Sequence, residues 1–564
     1  MTEEPATNEK TTMKLMKLIK NYWLPVVIFC ILIVMVLYPT LTVLVKSLRS
    51  DGQTGLGNFT QMFSQPHYAR IFWQSILVAL GVATGATILG LILAIVVFKT
   101  TLPLRKTFAA AAILPIIIPG FVATLAYIFL LGRNGLLTYQ LFGWSPDIYS
   151  WKSVLIIQTL DSTVTTFLLI SAVLVSLNSE LEDAARNLGA SEWKVLTTVT
   201  LPLSRAGIIG AALLVFMGSM SDFSTPLIIG GDFSTLASAS YTQLLGRYNL
   251  EFASTLNVAL LAVCLVVFYI YSRAQSSGEK IQTQARGGER KVLSLPKLIR
   301  YPLWLICALF TSYIFLQLAA VFLAAFTKHL GADYGFTLEY FQRLPARGWN
   351  SILNSLVFAT VTAIVMSLAG IIIAYLVTRI EFRGRKLLDM LTTLPFAIPG
   401  TMFGVGYVMA FNQPPLLLTG TWVIVVALTI IRQLPLGLRT GVSVLSQQDR
   451  AIEDASASLG ASRVSTFIRI ILPNARPALL VSALYAFVIT IQTVGAIIFV
   501  VTPGTKLLSI DVFNAVYKGE IGIAASLSVI MLTLSAIGMA AIYLILNREA
   551  AATWLGRVVG RTTV

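Results

Sequence analysis

The chain has 564 residues, 56% of them hydrophobic and only 12% charged, with a mean hydropathy of +0.80. Soluble domains carry roughly 25% charged residues, so this composition excludes a water-soluble globular protein and defines an integral membrane protein. The formal net charge of +16 is spread through the gaps between apolar runs rather than gathered on a soluble domain, and no nucleic-acid partner is expected.

In chain order, a polar, lysine-dotted stretch over residues 1–20 precedes an apolar run at 23–45 that is too long for a signal-peptide core and reads as a retained helix. Further runs follow near 72–98, 108–131, 151–177, 206–229, 252–272, 302–326, 352–378, 388–411, 421–445, 477–501 and 521–546. Each is long enough to cross a hydrocarbon core of about 30 Å as a helix, and a helix satisfies its own backbone where lipid offers no partner. The expected fold is all-α, with about twelve spans surrounded by membrane lipid. If the N-terminus is cytoplasmic, most of the 41 basic residues fall in inner segments, among them Lys10, Lys99, Arg105, Arg186, Arg379 and Arg548. The positive-inside rule then puts both termini in the cytoplasm. Cys30, Cys264 and Cys307 all lie in predicted helices, where thiols pack as small apolar groups.

The third run contains Leu114-Pro115-Ile116-Ile117-Ile118-Pro119-Gly120, which returns 280 positions later as Leu394-Pro395-Phe396-Ala397-Ile398-Pro399-Gly400. From Trp151, matching Trp422, to Leu256, matching Leu527, the offset is a constant 271. The difference falls in one outer loop of each half, and the whole pattern marks an internal duplication. Six spans per half is an even number, so the second copy enters in the same orientation. The halves are then related by a pseudo-two-fold along the membrane normal, unlike inverted repeats. The expected organisation is a first repeat over 1–273, a cytoplasmic linker over 274–300 and a second repeat over 301–564. Pro115, Pro119, Pro395 and Pro399 remove backbone donors inside apolar runs and are expected to kink their helices.

Charges within spans are few. Asp161 falls near the middle of the fourth run and its counterpart at the repeat offset is Arg432. A charge at a helix centre costs at least about 2.5–3.5 kcal/mol, so the two are expected to pair across the pseudo-axis, either locking the halves or meeting substrate. Ser221-Asp222 corresponds to Gln492-Thr493 at the outer end of the fifth runs, and these polar groups are expected to line the entry to the path. His67 and His329 are the only histidines and both lie in outer loops, so no resident metal is expected. No phosphate-binding Gly-x-x-x-x-Gly-Lys-Ser/Thr loop occurs, and no catalytic constellation is present.

The most informative repeat lies in the polar gap after the fourth span. Asp183-Ala184-Ala185, Gly189, Val199 and Leu201-Pro202 return at identical spacing as Asp454-Ala455-Ser456, Gly460, Ile470 and Leu472-Pro473. The segment from Asn178 to Arg186 favours a short helix, the glycine ends it in the left-handed cap conformation, and the proline opens the next helix. At these residues the chain resembles the permease subunits of ATP-binding-cassette importers, whose loop reads Glu-Ala-Ala-x-x-x-Gly, nine residues on Ile-x-Leu-Pro. Asp183 and Asp454 depart from the glutamate, Ser456 from the second alanine and Val199 from the isoleucine.

The resemblance covers nearly the whole chain and implies the type I importer permease fold in a bacterial inner membrane. It also implies two copies of a separate ATPase, holding ATP and magnesium, docked on Asp183–Gly189 and Asp454–Gly460. A soluble substrate-binding protein would deliver cargo from outside, and this chain would be neither an enzyme nor the holder of a cofactor. The fused two-domain layout with Leu-Pro-x-x-Ile-Pro-Gly twice is most similar to the ferric-iron permease group, with phosphonate, thiamine and polyamine permeases as near relatives. The rival reading is a twelve-helix secondary transporter driven by an ion gradient, for which Arg383-Gly384-Arg385-Lys386 supplies a short basic inner loop.

Overall fold

Among the described residues, ten helices are long and apolar enough to span a membrane, and two further apolar segments are broken by sharp bends, giving up to twelve spans when each bent pair counts as one. These are features of a computed structural model that describes residues 23–50, 52–177, 179–282, 296–329, 332–343 and 348–546. The polar N-terminal stretch, residues 283–295 of the expected linker and the C-terminus lie outside the described residues, while 274–282 and 297–300 of that linker are helical, as the neighbouring spans run on into it.

The first half contains α1 (Trp23–Ser47), α2 (Pro66–Lys99), α3 (Arg105–Ile113), α4 (Gly120–Leu131), α5 (Trp151–Ser176), α6 (Ser179–Asn187), α7 (Leu201–Ser221) and α8 (Leu250–Gln282). The second repeats this order as α9 (Lys297–Phe326), α10 (Trp349–Arg379), α11 (Arg385–Thr393), α12 (Gly400–Ala410), α13 (Trp422–Ser446), α14 (Ala451–Ser458), α15 (Arg476–Gln492) and α16 (Ile521–Leu546). A short antiparallel hairpin follows the first helix of each half, Arg49–Ser50 with Gln53–Thr54 and Thr327–His329 with Asp333–Phe336. Strands this short leave no period for hydropathy to register, which is why no strand was expected.

The third span of each half is not one kinked helix. Pro115 opens a 3-10 turn at Leu114–Ile116, and Pro119, in extended conformation, caps α4. Pro395 and Pro399 do the same at Leu394–Phe396 and α12, where the two arms meet at 106°. A residue that precedes proline is pushed out of the helical region, so Ile118 and Ile398 cannot continue the turn before them. The motif is therefore a break with two helix starts. The fifth spans break as well: α7 ends at Asp222, in extended conformation, before Ser224–Ile229, and α15 ends at Thr493 before the turn Ile497–Phe499.

Within each half the second helix crosses the fourth at small residues. A Cβ on Gly90 of α2 would overlap the Thr166 side chain and Phe167 backbone of α5, and one on Gly370 of α10 would overlap the Gly437 backbone of α13. Close backbone approach of this kind substitutes for the hydrophobic driving force that lipid cannot provide. The first helix of each half lies on the other half: α1 packs on α12, and α9 packs on α2, α3 and α4. Tyr407 donates a hydrogen bond to the Met35 carbonyl at 2.8 Å, Thr401 to Asn257 Oδ1 at 2.8 Å, and Trp304 to the Pro103 carbonyl at 3.1 Å. One apolar core accordingly runs through both halves.

Candidate functional site

The two inner loops are fastened alike at their helices. In the first, Glu182 on α6 is 1% exposed, and its Oε1 receives Lys99 Nζ at 2.6 Å and the Thr200 hydroxyl at 2.8 Å. In the second, Glu453 on α14 forms an ion pair with Arg379 Nε at 2.9 Å. Arg379 also donates from Nη2 to the Leu445 and Gln448 carbonyls, each at 2.8 Å. Lys99 and Arg379 are the last residues of α2 and α10, so each ion pair fastens a loop helix to the inner end of the second helix of its half. Sequence reasoning singled out the neighbouring Asp183 and Asp454 and missed these pairs. The signal was present, since Glu182 and Glu453 keep the 271 offset while Lys99 and Arg379 keep the 280 offset.

Asp183 pairs with Arg186 Nη1 at 2.8 Å, and Arg186 Nε reaches Glu192 at 3.0 Å. Partial burial works against the Arg186 charge, but Glu192, Asp183 and Glu182 outweigh it and hold the guanidinium above its ordinary pKa. Asp454 and Ala455 are exposed, as is Ala184, while Ala185 is half-buried against the cluster that contains buried Val195. At the equivalent positions Ser456 hydrogen-bonds Thr466 at 2.9 Å, both buried. The serine that departs from the family pattern is thus matched by a threonine, and an apolar contact is exchanged for a hydrogen bond.

Gly189 and Gly460 sit at φ +84° and +81° with open space where a Cβ would point, so only backbone conformation demands glycine there. A serine caps the next short helix in each copy, Ser191 accepting from Lys194 N and Ser462 from Ser465 N. Pro202 and Pro473 stand in the first turn of α7 and of the short helix Leu472–Asn474. The copies then diverge, because the second bends by 71° before α15. Pro477 occupies the place of Ala206 and lacks the N–H that would carry the helix through.

Three pairs of large apolar side chains project from the loops at matched positions: Leu181 and Ile452, Leu188 and Leu459, Trp193 and Val464. Leu188 and Leu459 are each 89% exposed, next to the cap glycines. Repeated apolar exposure on an otherwise polar loop marks an interaction surface.

Asp161 and Arg432 are both partly exposed at mid-span, and no ion pair or hydrogen bond joins them to each other or to any other described residue. The expected pair across the axis is not made, because each charge turns toward the break of its own half. Asp161 Oδ2 lies 3.3 Å from the position of a Cβ on Gly120, and the Arg432 guanidinium fills the space a Cβ on Gly400 would take. Asp222 belongs to a local network: its carboxylate accepts from Gln158 Nε2 at 2.9 Å and from Ser224 N and Oγ at 2.9 and 2.8 Å. Gln158 Oε1 in turn accepts from Ser219 at 2.6 Å. Gln492 crosses between halves, donating to the Ile116 carbonyl at 2.9 Å. Asp161 and Gln492 therefore both meet the first broken motif, while Asp222 and Arg432 stand apart from it.

Two parallel six-span sets with matched inner loops define a multi-pass transport permease. Residues 86–278 and 366–550 each match the model of the binding-protein-dependent transport system inner membrane component, and the chain belongs to that family of importer permeases. It is 31% identical over 511 residues to the ferric transport system permease protein FbpB of Actinobacillus pleuropneumoniae, spanning 88% of this chain and 74% of the relative. A putative ferric transport system permease protein FbpB 1 of Haemophilus influenzae is 32% identical over 500 residues, spanning 86% and 79%. A putative 2-aminoethylphosphonate permease protein PhnV of Salmonella choleraesuis is 27% identical over 255 residues, spanning 44% of this chain and 93% of that one.

Proposed function

We propose that this permease imports ferric iron, handed over at the outer face by a soluble binding protein and driven by two copies of a separate ATPase at the inner face. The observation that carries the iron reading is the extent of similarity: permeases named for ferric transport align with 88% and 86% of the chain. On this reading both termini are cytoplasmic and ATP with magnesium is hydrolysed on the partner. The apolar faces at Leu188 and Leu459 sit in one groove of each ATPase copy, and the ion pairs Lys99–Glu182 and Arg379–Glu453 pass motion of the grooves to α2 and α10. Nucleotide drives the cycle only if the ATPase dimer binds one arrangement of the halves more tightly than the other.

A zwitterion such as 2-aminoethylphosphonate is the second reading, favoured by the opposite charges Asp161 and Arg432, which have no ion-pair partner among the described residues. The two are separated by reconstituting the permease with its cognate ATPase and binding protein in liposomes and measuring uptake of radioactive iron against labelled 2-aminoethylphosphonate. Iron uptake that excess phosphonate does not depress supports the first reading. Phosphonate uptake without iron uptake replaces it.

A further inference from the structure

The geometry points to a transit site for a hard cation, built from Asp161, Tyr313 and Gln317 where the two halves meet against the first broken motif. It rests on the iron reading for the identity of the cargo but not for the chemistry of the site. Asp161 comes from α5 of the first half, and Tyr313 and Gln317 come from α9, one turn apart on the first helix of the second half. Together with Pro115 and Ile118 they line a cavity of about 10 Å³, room for a single water-sized occupant.

Three oxygen-bearing groups line this cavity, and none is satisfied by a described residue. Gln317 is 3% exposed, and neither its amide, the Tyr313 hydroxyl nor the Asp161 carboxylate makes a hydrogen bond to any described residue. A buried amide left without a partner is unfavourable, and so is a carboxylate inside the membrane. Side chains that serve only packing are not retained at that expense. A carboxylate, an amide carbonyl and a phenol are all hard oxygen donors, the class that suits small, highly charged cations, and no sulfur or imidazole lines the cavity. Three donors are too few for a resident ion, which is what passage requires: binding strong enough to admit the cation and weak enough to release it.

The test uses the full complex of permease, ATPase and binding protein in proteoliposomes, with iron uptake and binding-protein-stimulated ATP hydrolysis measured for wild type, Asp161→Asn and Gln317→Leu. The expected result is uptake reduced at least ten-fold in both variants, with stimulated hydrolysis within two-fold of wild type. Uptake within two-fold of wild type in both overturns the site, as does a parallel loss of hydrolysis, which would make the residues structural. If the wild-type complex moves no iron, the iron reading fails and the site is judged by terbium(III) luminescence sensitised by Tyr313 in the same complex. Terbium emission that Asp161→Asn abolishes upholds a hard-cation site; emission unchanged in that variant overturns it.

Discussion

Replacing Lys99 with Met removes the closer of the two cations paired with the buried Glu182 carboxylate and leaves it the Thr200 hydroxyl at 2.8 Å and Arg186 Nη2 at 4.0 Å. Lys99 and Glu182 side chains are 9% and 1% exposed, so solvent cannot take over from the lost partner. Breaking such a pair from one side costs about 3–5 kcal/mol, two to three and a half decades in an equilibrium at about 1.4 kcal/mol per decade. That cost falls on the seating of α6 against α2, so the first loop should detach and ATPase retention on the purified permease should drop at least ten-fold. Removing both charges in Lys99→Met/Glu182→Met should recover most of the loss, because no orphaned charge remains. The assay is ATPase retained per permease after affinity purification, with thermal unfolding of the complex alongside. Single variants indistinguishable from wild type, or a double variant whose loss is the sum of the two singles, would refute the reasoning.

Gly189→Val and Gly460→Val should each cost about 1–2 kcal/mol, the penalty of a left-handed residue with a Cβ, whereas Asn at either place should be nearly silent; thermal unfolding and ATP-coupled uptake read both. Ser456→Ala alone should destabilise by about 0.5–1.5 kcal/mol, the loss of one hydrogen bond, since the Thr466 hydroxyl keeps only the Ser462 carbonyl at 3.2 Å. Ser456→Ala/Thr466→Val recreates the first loop's apolar pair and should restore stability, and a double variant as weak as the single would contradict the proposed compensation. Asp161→Asn and Arg432→Gln should affect folded yield additively to within about 0.3–0.5 kcal/mol, as independent sites do; a larger coupling in a double-mutant cycle would show an ion pair in another arrangement of the halves.

Hydropathy alone places the unbroken spans well: runs read at 151–177 and 521–546 are observed as Trp151–Ser176 and Ile521–Leu546. It fails where proline and packing act together. Pro119 and Pro399 were legible as punctuation, but whether a helix kinks or stops depends on what the freed ends meet. The repeat offsets equated Asp161 with Arg432 in depth, yet depth carries no information about the lateral direction of a side chain, and each turned toward its own glycine. The ion pairs at Glu182 and Glu453 were missed because a charge at a span end reads as the start of a loop. Only superposing the two offsets reveals that a base and an acid recur together. Ser456 departs from the motif in sequence, and its partner Thr466, ten residues on, is evident only in the structure.

The energy source of transport separates an ATP-driven importer from a secondary transporter most directly. Uptake of binding-protein-delivered cargo into liposomes containing the permease and its ATPase should require ATP, stop when the Leu188→Asp/Leu459→Asp variant is used, and ignore an imposed proton or sodium gradient. Cargo that enters ATP-free liposomes at a rate set by such a gradient would contradict the account and restore the secondary-transporter reading.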